Sequence, residues 1–157
     1  MLEKIIISDL LSKSCVMVDL VAKNKLDVIE KMTDQLCSEG AISNKQGFIQ
    51  DVLAREELGA TGFENHIAIP HGKSSWVNET RIAVAKLKTP IDWEAMDSTD
   101  IKLVILFAVK DIDSGAGHIK VLAKMSIALG DDDIVEKLLN ANTQEELYSL
   151  IINNTEE

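Results

Sequence analysis

The stretch from Arg55 to Lys73, R-E-E-L-G-A-T-G-F-E-N-H-I-A-I-P-H-G-K, decides how the rest of the chain is read. On its left, Arg55, Glu56, Glu57 and Leu58 close an amphipathic run, and Gly59 is suited to the left-handed conformation that ends a helix. Gly62 adds a second flexible point. Ile67-Ala68-Ile69 is an apolar run long enough for a strand and bounded by punctuation. Pro70 is expected to end that strand, because proline brings no N–H to a ladder and restrains the residue before it. His71 is then presented at a strand end. Gly72 beside it leaves room for another group's close approach and an unobstructed backbone N–H.

Working outward, Cys15 to Leu20 has the β-branched alternation of a first strand. Leu26, Ile29, Met32, Leu36 and Cys37 repeat at helical spacing over Lys25 to Glu39, and Gly40 follows as a C-terminal cap. Ser43 or Asn44 is placed to cap a second helix running to about Leu58, with Phe48, Ile49, Val52 and Leu53 inward. Lys73 to Thr80 reads as polar loop. Arg81 to Leu87 alternates as a strand with one wetter face, and Thr89-Pro90 is expected to break it. Ile101 to Val109 is the strongest candidate for a buried central strand. His118 to Leu129 is amphipathic, Asp131 to Asp133 opens another helix, and Thr143-Gln144-Glu145-Glu146 reads as a capping box for the last. The order is not a regular strand–helix alternation. It predicts an α/β fold, one domain over residues 1–157, with a mixed β-sheet and helices packed on both faces.

Composition bounds the function. At 157 residues, 46% apolar and 27% charged, the chain is long enough for a sizeable core. Sixteen basic against 26 acidic residues give a net charge of −10, which disfavours nucleic acid and anionic membrane surfaces. No apolar run reaches the length of a membrane span, and the N-terminus does not read as a signal peptide. Two cysteines, Cys15 and Cys37, lie in separate apolar settings; they read as free core thiols in a reducing cytoplasm.

At Arg55–Thr61 and Ile67–Gly72 the chain resembles the IIA domains of the bacterial sugar phosphotransferase system, of the fructose–mannitol type (EIIA type-2). That family carries R-E-x-x-G-x-T, a short glycine-containing loop, and a [GN]-[IV]-A-[IV]-P-H-G block. A third segment, Gly117-His118-Ile119-Lys120-Val121-Leu122, is similar to the region of the family's second histidine, so the resemblance covers essentially the whole chain. One departure is His66, where many members have glycine.

The resemblance implies that His71 is the phosphohistidine intermediate. It implies that phospho-HPr donates to His71, and that a cysteine of a IIB domain receives the group. Sugar is then handled by a membrane IIC domain, the only link to a membrane. Imidazole chemistry agrees, since a neutral fraction near pH 7 attacks phosphorus and the phosphorylated ring remains a good leaving group. His118 falls in the first turn of a predicted helix, where backbone N–H groups favour bound phosphate. It maps to the family's second active-centre histidine, and the role expected is to stabilise the phosphoryl group.

Arg55 alone would read as a helix charge paired with Asp51 or Glu56. The family's arginine at this position makes it a second phosphoryl stabiliser, its guanidinium fork suited to that charge. Thr61 reads equally as a turn hydroxyl, and Lys73 as rim charge. His66 and His71, five apart across an extended run, should face opposite ways and make poor co-ligands. No metal or cofactor is expected. The reading is thus a cytoplasmic phosphocarrier of the fructose-type sugar branch. The alternative is a regulatory protein like the nitrogen-branch IIA proteins, acting by phosphorylation-dependent protein binding.

Overall fold

A computed structural model of the chain describes residues 7–58, 66–93, 100–112 and 116–155. Two short 3-10 turns, Ile7–Asp9 and Lys13–Cys15, lead into β1 (Val16–Leu20), α1 (Lys25–Ser38) and α2 (Lys45–Leu58). Next come β2 (Ile67–Ala68), β3 (His71–Ser74), β4 (Arg81–Ile91) and β5 (Ile101–Lys110). Three helices close the chain: α3 (Ala116–Leu129), α4 (Asp132–Leu139) and α5 (Gln144–Thr155). Gly59, Thr61 and Gly62, singled out above, lie outside the described residues.

The sheet runs β1-β4-β5-β2, with β3 beside β2 on the same edge of β5. β1 is parallel to β4, β4 is antiparallel to β5, and β2 and β3 are parallel to β5, so the sheet is mixed as the element order implied. Helices cover both faces. Ile82 to Ala85 on β4 and Leu103 to Ala108 on β5 are buried without alternation, as happens only when neither face is wet. The wetter face expected of β4 is therefore absent over Ile82–Ala85. α1 packs on α2 and β4, α2 on β3, and α5 on β1 together with α3 and α4.

Helix ends follow the chemistry of their flanking residues. Gly40 takes φ +80°, and the N–H groups of Gly40 and Ala41 reach back to Cys37 and Leu36 carbonyls at 3.0 Å each, closing α1 with a Schellman motif. Asn44, rather than Ser43, caps α2: its Oδ1 accepts from Gly47 N–H at 2.9 Å. Asp131 Oδ1 accepts from Asp133 and Ile134 at the start of α4. Thr143 Oγ1 accepts from Glu146 N–H while Glu146 accepts from Asn142 N–H, a capping box displaced by one residue.

Pro90 contradicts its expectation, and Pro70 meets its own only in part. β2 ends before Pro70 as expected, but a second strand on the same edge of β5 begins directly after it. Ile67 stands opposite Leu103 and His71 opposite Phe107, so the register along β5 is the same on either side of the break. The Pro70 carbonyl still accepts from Phe107 N–H at 3.0 Å, since proline lacks only the donor. His71 therefore begins β3, and Lys73 and Ser74 belong to that strand rather than to a loop. Pro90 does not end β4. The ladder shifts register between Lys86 and Ile91, leaving Lys88, Thr89 and Pro90 exposed in a bulged stretch where a missing N–H costs no pairing.

Candidate functional site

α2 and β3 meet at Gly72. A Cβ added there would lie 2.8 Å from Val52 Cγ2 and 3.2 Å from Phe48 Cε1, both on α2. The room that Gly72 provides for another group's close approach is thus filled by this chain's own helix. At the far end of β3, Ser74 Oγ donates to Asp51 Oδ2 at 2.5 Å, while the same Oγ accepts from Trp76 N–H at 3.1 Å. Helix and strand are therefore fastened at Gly72 by packing and at Ser74 by a charge-assisted hydrogen bond.

This docking brings Arg55, near the end of α2, over His71 at the start of β3. Arg55 Nε donates to His71 Nε2 at 3.1 Å. His71 Nδ1 lies 3.1 Å from the carbonyl of Ile69. Arginine only donates and a carbonyl only accepts, so both contacts fit one form of the ring. Nδ1 carries the proton and Nε2 presents a lone pair. The half-buried imidazole is held on one side, as the sequence suggested, but its other side is covered by a guanidinium. The two carboxylates expected as Arg55's partners are engaged elsewhere: Asp51 by Ser74, and Glu56 by Lys25 Nζ at 2.6 Å.

His118 is the third residue of α3, within its first turn as expected, although the helix begins two residues earlier, at Ala116. Its side chain lies outside the described part of the structure, so its relation to His71 stays a sequence expectation.

His66 is brought to a different place. It takes φ +69°, a conformation glycine adopts at little cost, which gives a physical reason for the glycine that many members of the resembling family have there. Its Nδ1 donates to the Asp100 carbonyl at 2.8 Å, and its own carbonyl accepts from Lys102 and Leu103 N–H at the mouth of β2. It lines a cleft of about 390 Å³ with Lys102, Asp132, Val135, Glu136, Leu139 and Asn140.

The thiols stand apart from the Arg55–His71 pair. Cys15 is buried and Cys37 half-buried, both are free, and burial pushes each thiol's pKa up. Sequence reasoning missed the Asp51–Ser74 and Lys25–Glu56 contacts. The second left a trace, because position 56 falls one turn after Val52 on the inward face of α2.

A family model described as "Phosphoenolpyruvate-dependent sugar phosphotransferase system, EIIA 2" matches residues 9–154. The 2-O-alpha-mannosyl-D-glycerate-specific EIIABC component of Escherichia coli (strain K12) is 35% identical over 126 residues, 80% of this chain. The match spans only 19% of that relative's length. The crystal structure of nitrogen regulatory protein IIA-Ntr from Neisseria meningitidis superposes with a TM-score of 0.85 at 25% identity, covering 92% of this chain and 98% of that one. The Escherichia coli complex of enzyme IIA-Mtl with phosphorylated IIB-Mtl contains a chain that superposes with a TM-score of 0.75. It is 22% identical, covers 92% of this chain and 99% of its own, and shares the fold.

Proposed function

From a chain that belongs to the EIIA 2 family of the phosphoenolpyruvate-dependent sugar phosphotransferase system, we propose a phosphocarrier whose acceptor atom is Nε2 of His71. The observation that supports it is the Arg55–His71–Ile69 arrangement, which leaves the proton on Nδ1 and a lone pair on Nε2. That lone pair attacks the phosphorus of a donor phosphoprotein. The new P–N bond forms as the donor's bond to phosphorus breaks, and the donor keeps that electron pair. Arg55 gives up its contact with Nε2 and turns its fork to the phosphoryl oxygens, neutralising charge that is spread over them in flight. The Ile69 carbonyl keeps Nδ1–H and supports the positive charge that the ring gains on phosphorylation. His118, at the start of α3, adds a second stabilising contact. No metal or nucleotide enters this scheme, because positioning and charge carry the transfer.

The donor in this reading is phospho-HPr and the acceptor is a IIB-domain cysteine. The group leaves Nε2 as a P–S bond forms and the nitrogen recovers its lone pair. A structural neighbour is a IIA domain bound to phosphorylated IIB, which supports that choice of acceptor. Among the described residues no helix is long and apolar enough to cross a membrane. Work at the cytoplasmic face of a IIC permease is the corresponding location. Fructose is the sugar proposed, on the overall look of the sequence alone.

A second reading is favoured by one specific finding: the nitrogen regulatory protein superposes along nearly its whole length. Mixing the phosphorylated chain with candidate IIB domains separates the two. A sugar carrier empties onto a IIB cysteine within many turnovers. A regulator keeps its phosphoryl group and forms a stoichiometric complex with a target protein, and that outcome would displace the carrier proposal.

A further inference from the structure

We propose that Glu56 is a positioning residue, held by Lys25, that sets the reach of Arg55 to His71; the inference rests on the phosphocarrier reading. The inward face of α2 is Phe48, Ile49 and Val52, and the next inward position is Glu56. Among the described residues of α2, Glu56 is the only buried one past Leu53, while Glu57 and Leu58 are exposed. Past Leu53 the end of α2 thus has no apolar anchor among its own residues. Helix ends fray unless something holds them, and here the holder is a carboxylate whose side chain is 4% exposed.

The charge placement is hard to explain by stability. Lys25 is the first residue of α1, at the positive end of that helix, and Glu56 lies in the last turn of α2, at its negative end. Each charge opposes its own helix dipole. A buried ion pair is commonly no more stable than apolar residues of the same size. What an ion pair adds is direction: it fixes one turn against one point.

That point is itself built to stay put. Asn24 caps α1 by accepting from Asp27 N–H at 2.9 Å, and Asp27 accepts from Lys23 N–H at 2.9 Å. Lys25 Nζ also lies 5.1 Å from the centroid of the Trp93 ring, just past β4, so its ammonium group is held from a second side. Lys25 and Glu56 then tie α1, α2 and the exit of β4 together one residue from Arg55.

The test uses Glu56→Gln, which keeps the shape and weakens the pair, and the exchange Lys25→Glu/Glu56→Lys, which restores it with the charges reversed. Two quantities are read: the rate of phosphoryl uptake by His71, and the nitrogen-15 NMR signal of its Nε2. Glu56→Gln is expected to slow uptake about ten- to a hundredfold, the usual effect of a small misplacement. It should also shift the Nε2 signal as the Arg55 contact loosens. The exchanged pair should regain most of the rate and the wild-type signal.

A folded Glu56→Gln protein with an unchanged Nε2 signal would overturn the inference, as would an exchanged pair as slow as the single variant. Should Glu56→Gln fail to fold, Lys25→Met breaks the same pair from its more exposed side and carries the same two readings. If the wild-type chain takes up no phosphoryl group, the carrier reading fails by itself, and the Nε2 signal still decides the positioning.

Discussion

His66 and His71 stand five residues apart on one interrupted edge of the sheet, and in each a backbone carbonyl accepts from Nδ1: that of Asp100 for His66, that of Ile69 for His71. Fixing the imidazole therefore does not distinguish them. What differs is the element that each one faces. His71 lies under α2, whose Arg55 meets Nε2 and supplies a positive charge where a phosphoryl group would sit. His66 opens on a cleft beside α4, lined by Asp132 and Glu136 as well as Lys102. Two carboxylates there would repel a dianionic phosphoryl group. In the proposed phosphocarrier, the comparison makes the carrier histidine the one whose Nε2 lone pair meets a cation, and helix docking is what brings that cation.

The sharpest way to break this contrast is to remove each ring in turn. His71→Ala should abolish acid-labile labelling by a phosphorylated carrier protein, while His66→Ala should label like the wild type; autoradiography of both proteins decides it. The next effect in size concerns the stabilisers. Arg55→Lys keeps a charge but loses the fork, and should slow transfer about a hundredfold. His118→Ala should slow it about ten- to a thousandfold with labelling retained. Quench-flow rates that match the wild type in either variant would remove that residue from the site.

Docking is tested next. Gly72→Ala places a methyl against Val52 and Phe48 and should lower stability by about 1–3 kcal/mol, as overpacking does. A urea midpoint equal to the wild type's would mean that α2 and β3 are not in close register. The smallest effect belongs to His66→Gly. It relieves a left-handed conformation worth about 1–2 kcal/mol and loses one hydrogen bond worth about 1 kcal/mol. The midpoint should move little, and phosphoryl uptake should not change.

Much of this was legible in the sequence, for reasons that differ by element. β5 could be read because a strand buried on both faces writes itself as an unbroken apolar run, here from Leu103 to Val109. The caps at Gly40, Asn44, Asp131 and Thr143 could be read because capping is local chemistry. Pro90 was misread, and the strand after Pro70 missed, because a proline's effect depends on which neighbour needs the N–H. Beside β5 the break at Pro70 leaves the register intact, and Pro90 falls in a bulge. Gly72 was read as room for another group, but nothing local shows that the group is α2. The meeting of Arg55 with His71, sixteen residues away, is a tertiary contact. Only the resemblance pointed to it, and it gave the residues without the choice of nitrogen.

That choice is the central claim, and one measurement meets it directly. The chain, phosphorylated and kept alkaline so that the phosphoramidate survives, is digested for mass mapping and, intact, examined by nitrogen-15 and phosphorus-31 NMR. The expected result is one phosphoryl group on His71, bonded to Nε2, with Nδ1 still protonated toward Ile69. A group bonded to Nδ1 of His71, or carried by His66 or His118, would contradict the account.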